Sequence, residues 1–80
     1  MTAPVTLAGN LAAAWARWDR LPGDPIRARL LEDAVKAMAA GLDTTGSSLR
    51  DAVTARRRAG MGCACAIADV LARAETRAAA

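Results

Sequence analysis

Histidine, tyrosine and phenylalanine are absent from this 80-residue chain, and cysteine occurs only twice, at Cys63 and Cys65. Without histidine, neither a Ser-His or Cys-His catalytic pair nor a His-containing zinc site can form. Two thiols are too few to close a tetrahedral zinc site within one chain. A disulfide between residues so close together would strain a helix. We therefore expect reduced thiols, as in cytoplasmic proteins, and we predict no metal and no cofactor.

Features of secreted and membrane proteins are also scarce. The N-terminal stretch has no basic region, and it contains Pro4, Gly9 and Asn10, which is atypical of a signal peptide. No uncharged run approaches the roughly 18 apolar residues of a membrane span. We expect a soluble, cytoplasmic chain that has no membrane partner.

The carboxylates form no catalytic pattern. Glu32 and Asp33 are adjacent, and neighbouring side chains diverge by about 100° on a helix, so the two could not share a proton or a water. Three more aspartates lie at predicted turns, where helix capping explains them: Asp19, Asp24 and Asp43. No glycine-rich loop follows a predicted strand. We therefore expect neither an enzyme nor a small-molecule substrate.

What the sequence does contain is typical of helices. Its apolar fraction of 54% is divided mainly between alanine, a strong helix former, and 19 larger Val, Leu, Ile, Met and Trp side chains. A chain of this length buries only about 60% of its unfolded surface, which makes the core thin. The sequence predicts one all-α domain over residues 1–80 that associates with a second copy or another protein.

Four helices can be placed from the residues that flank them, at about 5–19, 24–40, 48–59 and 63–77. Asp24 followed by Pro25 is typical of a helix start. Gly41 would follow the last turn of the second helix in a left-handed conformation, and Ser47 or Ser48 would cap the third. Short connections favour antiparallel neighbours. The sequence thus predicts a compact bundle of three to four short helices.

The two tryptophans allow two interpretations. Trp15 and Trp18 are the only aromatic residues, and they share one helical face with Leu7 and Leu11. They are either the bulkiest side chains of the core or an anchor for a protein partner, a role in which tryptophan is enriched.

The second predicted helix has a broad apolar face. One stripe is formed by Ile26, Leu30, Ala34, Ala37 and Met38, and Leu31, Val35 and Leu42 widen it. So broad a face indicates contact with more than one neighbour. Further candidates for a protein interface are therefore Leu30, Leu31 and Val35, as far as their side chains are exposed.

Positive charge is concentrated near the third helix. The whole formal charge of +3 lies in residues 49–61, where Arg50, Arg56, Arg57 and Arg58 are opposed by Asp51 alone. We expect at least two of the three consecutive arginines to face solvent, because successive side chains diverge around a helix. Such a cluster could contact nucleic-acid phosphates. It could also bind an acidic protein or simply interact favourably with the dipole at the helix end.

The last two predicted helices, with Gly60-Met61-Gly62 between them, are similar to a helix-turn-helix in having a basic first helix and a tight turn. They depart from it because a recognition helix presents polar side chains near its start, where this chain has Cys63-Ala64-Cys65-Ala66. A break near Ala72 would create a short extra helix bearing Arg73. No glycine or proline requires that break, so we interpret 63–77 as one helix.

The two cysteines are expected to differ in environment. Cys63 falls on the apolar stripe of the last helix and is expected to act as a small buried hydrophobe. Cys65 points toward Asp69 and Arg73, and its place in the first turn would lower the pKa of a thiol. Cys65 is therefore the candidate for thiol chemistry, such as a redox or ligand role across a dimer.

Two functions follow from these patterns. The first is a small non-enzymatic interaction module (a regulator, adaptor or assembly subunit) that presents a helix face to a protein partner or a second copy. The alternative is a small DNA-binding regulator whose arginine cluster contacts phosphates. We expect Trp15 and Trp18 to matter for the first function and residues 56–58 for the second.

Overall fold

The computed structural model describes residues 3–79, with side chains described as far as residue 75. Within that range the chain is all-α, which confirms the predicted fold class. The helices are α1 (Pro4–Arg20), α2 (Pro25–Gly41), α3 (Gly46–Arg58) and α4 (Cys63–Ala79). None of the helices in the described part is long and apolar enough to cross a membrane.

Proline and aspartate determine where α2 begins. Pro25 is its first residue, where a missing N–H costs no helical hydrogen bond. The carboxylate of Asp24 accepts a hydrogen bond of 3.0 Å from the backbone N–H of Arg27, as predicted. The Arg27 guanidinium in turn donates to the carbonyl of Arg17 at 2.8 Å. The start of α2 is therefore tied to the end of α1.

The end of α2 differs from the prediction. Gly41 is still helical, and the left-handed conformation belongs to Asp43, with φ of 55°. Aspartate adopts this conformation more readily than most residues. Gly41 also makes room for a side chain of α1. A Cβ at this position would lie 2.8 Å from Cδ1 of Leu7, so the end of the Leu7 side chain would have to move.

The cap of α3 is Thr45, and the prediction of Ser47 or Ser48 was wrong. The Thr45 hydroxyl accepts from the backbone N–H of Ser48 at 3.1 Å and donates to the Ser48 hydroxyl at 2.9 Å. Thr45 has the extended backbone that a cap requires. The helix therefore begins at Gly46, earlier than predicted.

The helices form a closed four-helix arrangement. Contacts join α1 to α2, α2 to α3, α3 to α4 and α4 back to α1. Asp19, near the end of α1, bonds Arg57, near the end of α3, at 2.6 Å. Because short turns lead from these helices into α2 and α4, the ends of α1 and α3 and the starts of α2 and α4 share one end of the bundle. Chain direction thus alternates from helix to helix.

All four helices contribute to a single apolar core. Its buried members are Leu11, Trp15, Leu31, Val35, Met38, Ala39, Leu49, Val53, Ala66, Ile67 and Leu71. Leu11, Met38 and Val53 are completely inaccessible to solvent. No polar or charged residue is buried among the side chains described. The bundle is therefore held by apolar packing inside and by ion pairs at its surface.

Of the stripe predicted to lead on α2, only Met38 is buried. The inner row of α2 consists of Leu31, Val35, Met38 and Ala39, with Leu42 packed beside it. Ile26 and Leu30 point outward, with exposed fractions of 70% and 47%. Both rows repeat at helical spacing, so periodicity alone could not choose between them. The contacts of α2 with α1 and α3 decide which row is covered.

No break interrupts α4, which is continuous through the Ala72 region. Before it, Gly60 adopts φ of 103°, a conformation that only glycine reaches easily. Ala66, Ile67 and Leu71 face the core. The predicted alternative, a short extra helix near the C-terminus, does not occur in the described residues.

Candidate functional site

Arg56, the first of the three consecutive arginines, links α3 to α4. Its Nε donates to Oδ2 of Asp69 at 2.6 Å, and its Nη1 donates to the carbonyl of Ala52 at 2.9 Å. Asp69 also lies 3.3 Å from Nε of Arg73. The hydrogen bond from Arg56 is the main reason that the pKa of Asp69 is lowered. The Arg56 guanidinium therefore joins α3 to α4 and stabilises the bundle.

Arg57 links α3 to α1. Its two terminal nitrogens donate to the two carboxylate oxygens of Asp19, at 3.2 and 2.6 Å, in a bidentate pair. The guanidinium carbon also lies 5.9 Å from the centre of the Trp15 ring, within range of a cation–π interaction. Hydrogen bonding to Asp19 raises the pKa of Arg57 above its ordinary value. Arg57 therefore contacts two residues of α1, the Asp19 carboxylate and the Trp15 ring.

The remaining two phosphate candidates lie toward opposite ends of α3. Arg58 and Arg50 are exposed and make no ion pair with any described residue. They lie eight residues apart, about 12 Å along α3 at the helical rise of 1.5 Å per residue. Of the three consecutive arginines, Arg58 is exposed, whereas the side chains of Arg57 and Arg56 are 33% and 22% exposed and each is paired with an aspartate. Arg50 is therefore separated from the other three candidates.

The structure places most of the predicted protein-contact residues inside the bundle. Trp15 is 6% exposed and belongs to the core, and Trp18 packs against the core from a half-buried position. Leu31 and Val35 are buried as well. Only Leu30 remains on the surface as a large apolar contact residue.

A second exposed apolar residue, which was not among the predicted contacts, extends this surface. Ile26 lies one turn before Leu30, and half-buried Ala34 and exposed Ala37 continue the row along α2. Beside it, a groove of about 320 Å³ runs between α1 and α2, with Ala13 on one wall and Leu30 on the other. We call the row of Ile26, Leu30, Ala34 and Ala37 the outer face of α2.

The cysteines show the predicted difference in exposure. Cys63 is half-buried and Cys65 is exposed. Burial is the main cause that raises the pKa of the Cys63 thiol. Among the described residues, no group of three or more His, Cys, Asp or Glu side chains is placed to hold a metal ion.

The partners of the arginines could not be found from the sequence pattern. Asp19 was assigned to a turn and Asp69 was given no partner on α3, whereas both aspartates bind α3 arginines across helix boundaries. Comparison with known family models, curated proteins and solved structures finds no match to this chain. A functional assignment therefore depends on the chain's own surfaces.

Proposed function

We propose that the chain is a small non-enzymatic interaction module that pairs with a second copy of itself through the outer face of α2. The observation that carries this proposal is the exposure of Ile26 and Leu30, one turn apart on the same side of one helix. Apolar side chains exposed singly are ordinary, but adjacent ones beside a groove are typical of interaction surfaces. Small neighbours at positions 34 and 37 would let another helix approach closely.

A second copy fits this face because the face is complementary to itself. If two α2 helices pack antiparallel about a two-fold axis next to Leu30, Ile26 of one copy lies opposite Ala34 of the other. Large side chains then meet small ones, which is the pattern expected of a symmetric interface.

The expected association is weak and depends on concentration. Complete burial of one Leu or Ile side chain contributes about 1.5–3 kcal/mol, and Ile26 and Leu30 are already partly covered in one copy. Lost translational and rotational freedom opposes association by about 4 kcal/mol or more. The four large side chains of a dimer exceed that cost only modestly, so monomer and dimer should interconvert.

Sedimentation velocity over a series of protein concentrations tests the proposal. The wild-type sedimentation coefficient should rise with concentration, whereas Leu30→Arg should remain monomeric because it buries a charge at the centre of the interface. Val5→Arg is the matched control, since Val5 is 69% exposed and lies on α1. It should associate like wild type, and circular dichroism should show all three chains equally helical.

An exchange of side-chain size tests the register. Ala34→Ile should weaken association because it opposes Ile26 of the second copy, and the double variant Ile26→Ala/Ala34→Ile should restore it. Wild-type protein that stays monomeric at every concentration would overturn the proposal of self-association. A dimer that the double variant fails to restore would overturn the antiparallel register.

A further inference from the structure

Three arginines that form no ion pair with a carboxylate of the described residues lie at one end of the bundle. Arg17 and Arg20 belong to the last turn of α1, and Arg58 ends α3. The bidentate pair of Asp19 with Arg57 fixes these two helix ends side by side. Arg20 and Arg58 immediately follow the two paired residues in sequence. The three exposed guanidiniums therefore flank a fixed contact at one end, which we call the basic end.

The basic end carries the whole net charge of the protein. Six arginines lie there: Arg17, Arg20, Arg27, Arg56, Arg57 and Arg58. They are opposed by three aspartates: Asp19, Asp24 and Asp69. Six against three gives +3, which equals the formal charge of the chain, and the other residues balance at five cations and five anions. The net positive charge is thus concentrated at one end of the bundle.

The paired and unpaired arginines at this end have different roles. The aspartates hold Arg27, Arg56 and Arg57 at distances of 3.9, 2.6 and 2.6 Å. Arg17, Arg20 and Arg58 are exposed, and none forms an ion pair with a described residue. Their guanidinium groups are therefore available to an external anion.

We propose that the basic end binds the phosphodiester backbone of nucleic acid, with Arg17, Arg20 and Arg58 as the contacts. Guanidinium groups bind phosphate oxygens through paired hydrogen bonds, and several cations at one end of the bundle match a repeating anion better than a single small one. The turn beside Arg58 forms an open cleft of about 420 Å³ that includes Gly60 and Gly62. These glycines add no side chain that would keep a phosphate chain away.

Binding at this end should not depend on base sequence. The first turn of α4 also lies there, and it presents Ala64 and Cys65 to solvent. Base edges in the major groove are read by hydrogen-bonding side chains on an inserted helix, and neither residue offers such a side chain. The arginines at the helix ends are therefore expected to contact phosphates alone. None of the three contact arginines belongs to the outer face of α2, and Arg17 lines the groove beside that face.

Fluorescence anisotropy of a labelled duplex DNA of mixed sequence, measured against salt concentration, tests this inference. Three phosphate contacts predict a slope of about −2.7 for the logarithm of the binding constant against the logarithm of salt concentration. Affinity should then fall about 40-fold between about 50 and about 200 mM salt. A duplex of different sequence should bind with the same affinity.

Two triple variants, each of which removes three positive charges, test whether DNA binding depends on the position of the arginines or only on the net charge. Arg17→Gln/Arg20→Gln/Arg58→Gln should lose binding and bring the salt slope close to zero. Lys36→Gln/Arg50→Gln/Arg73→Gln changes three exposed cations elsewhere and should keep the wild-type slope. Circular dichroism and thermal unfolding should show both variants folded.

Three results would overturn the proposal. The first is flat anisotropy at low salt, where a phosphate site is strongest. The second is an equal loss of binding in both triple variants, which would mean that net charge alone attracts DNA. The third is retention on anionic phosphatidylserine vesicles without binding to DNA, which would assign the basic end to a lipid surface.

Discussion

Arg57→Met tests whether the arginine run is part of the fold. The substitution removes the guanidinium and keeps an apolar stem. It thereby breaks the bidentate pair with Asp19 and the contact of 5.9 Å with the Trp15 ring. Arg58→Met, one residue later, removes an exposed guanidinium that has no ion pair in the described structure. Both variants remove one positive charge, but only Arg57→Met removes an interaction that joins two helices.

The exposure and geometry of these contacts determine how much stability Arg57→Met should lose. The side chains of the ion pair are about one third exposed, at 33% for Arg57 and 38% for Asp19. A pair so exposed contributes about 0.2–1 kcal/mol, with bidentate geometry near the upper value. The cation–π contact adds about 0.5–1 kcal/mol. Arg57→Met should therefore destabilise the fold by about 1–2 kcal/mol, or lower Tm by roughly 4–16 °C for a domain of this size.

A double-mutant cycle separates the ion pair from the ring contact. Asp19→Asn breaks the pair and leaves the guanidinium over Trp15, so it should cost less than Arg57→Met. It also relieves the unfavourable position of a carboxylate near a helix C-terminus. The cycle cancels that effect and should give a coupling of about 0.5–1 kcal/mol between Asp19 and Arg57.

Urea unfolding followed by circular dichroism supplies the four free energies of the cycle. All samples should be at one protein concentration, because association would add to apparent stability. Arg58→Met should remain within about 0.5 kcal/mol of wild type. Equal stabilities of Arg57→Met and Arg58→Met, or no coupling within error, would refute the assignment of Arg57 to the fold.

Three further predictions concern the core, the turns and pH. Met38→Ala should lower the free energy of unfolding by about 2–5 kcal/mol, read from the urea midpoint, because Met38 is fully buried. In thermal melts, Gly60→Ala should destabilise by about 1–3 kcal/mol, since its φ is 103°, whereas Gly9→Ala inside α1 should stabilise by about 0.5–1 kcal/mol. The lowered pKa of Asp69 contributes stability at neutral pH that disappears as pH falls from about 4 through the lowered value. A profile of urea midpoint against pH should be flatter there for Asp69→Asn, and an unchanged profile would contradict the role of Arg56.

Local sequence was enough to place the helices. Asp24 and Pro25 start α2 as predicted, and the glycine turn near Gly60 separates α3 from α4. These features act over a few residues and leave clear patterns in the sequence. The cap of α3 was wrong because Thr45, Ser47 and Ser48 all offer hydroxyls, and only the backbone conformation distinguishes the residue that caps.

The surfaces could not be predicted in the same way. Arg57 and Asp19 are 38 residues apart, and Arg56 and Asp69 are 13 apart, so neither pair has a local pattern. The outer face of α2 could not be predicted for a related reason. The rows that contain Leu30 and Leu31 have the same helical period, and only the packing of neighbouring helices decides which is covered.

The distance between two copies of α2 tests the central claim, self-association through the outer face, most directly. A spin label at Lys36→Cys, in a chain with Cys63→Ser and Cys65→Ser, sits beside the face at a position whose native side chain is 68% exposed. Antiparallel pairing about Leu30 separates the labelled positions by 12 residues along the axis, or about 18 Å at 1.5 Å per residue. An interhelical distance of about 9 Å brings the backbone separation to about 20 Å.

Pulsed electron paramagnetic resonance of this labelled chain should give a distance near that value. Leu30→Arg in the same chain should abolish the dipolar coupling. The absence of any coupling at high protein concentration would contradict self-association through this face.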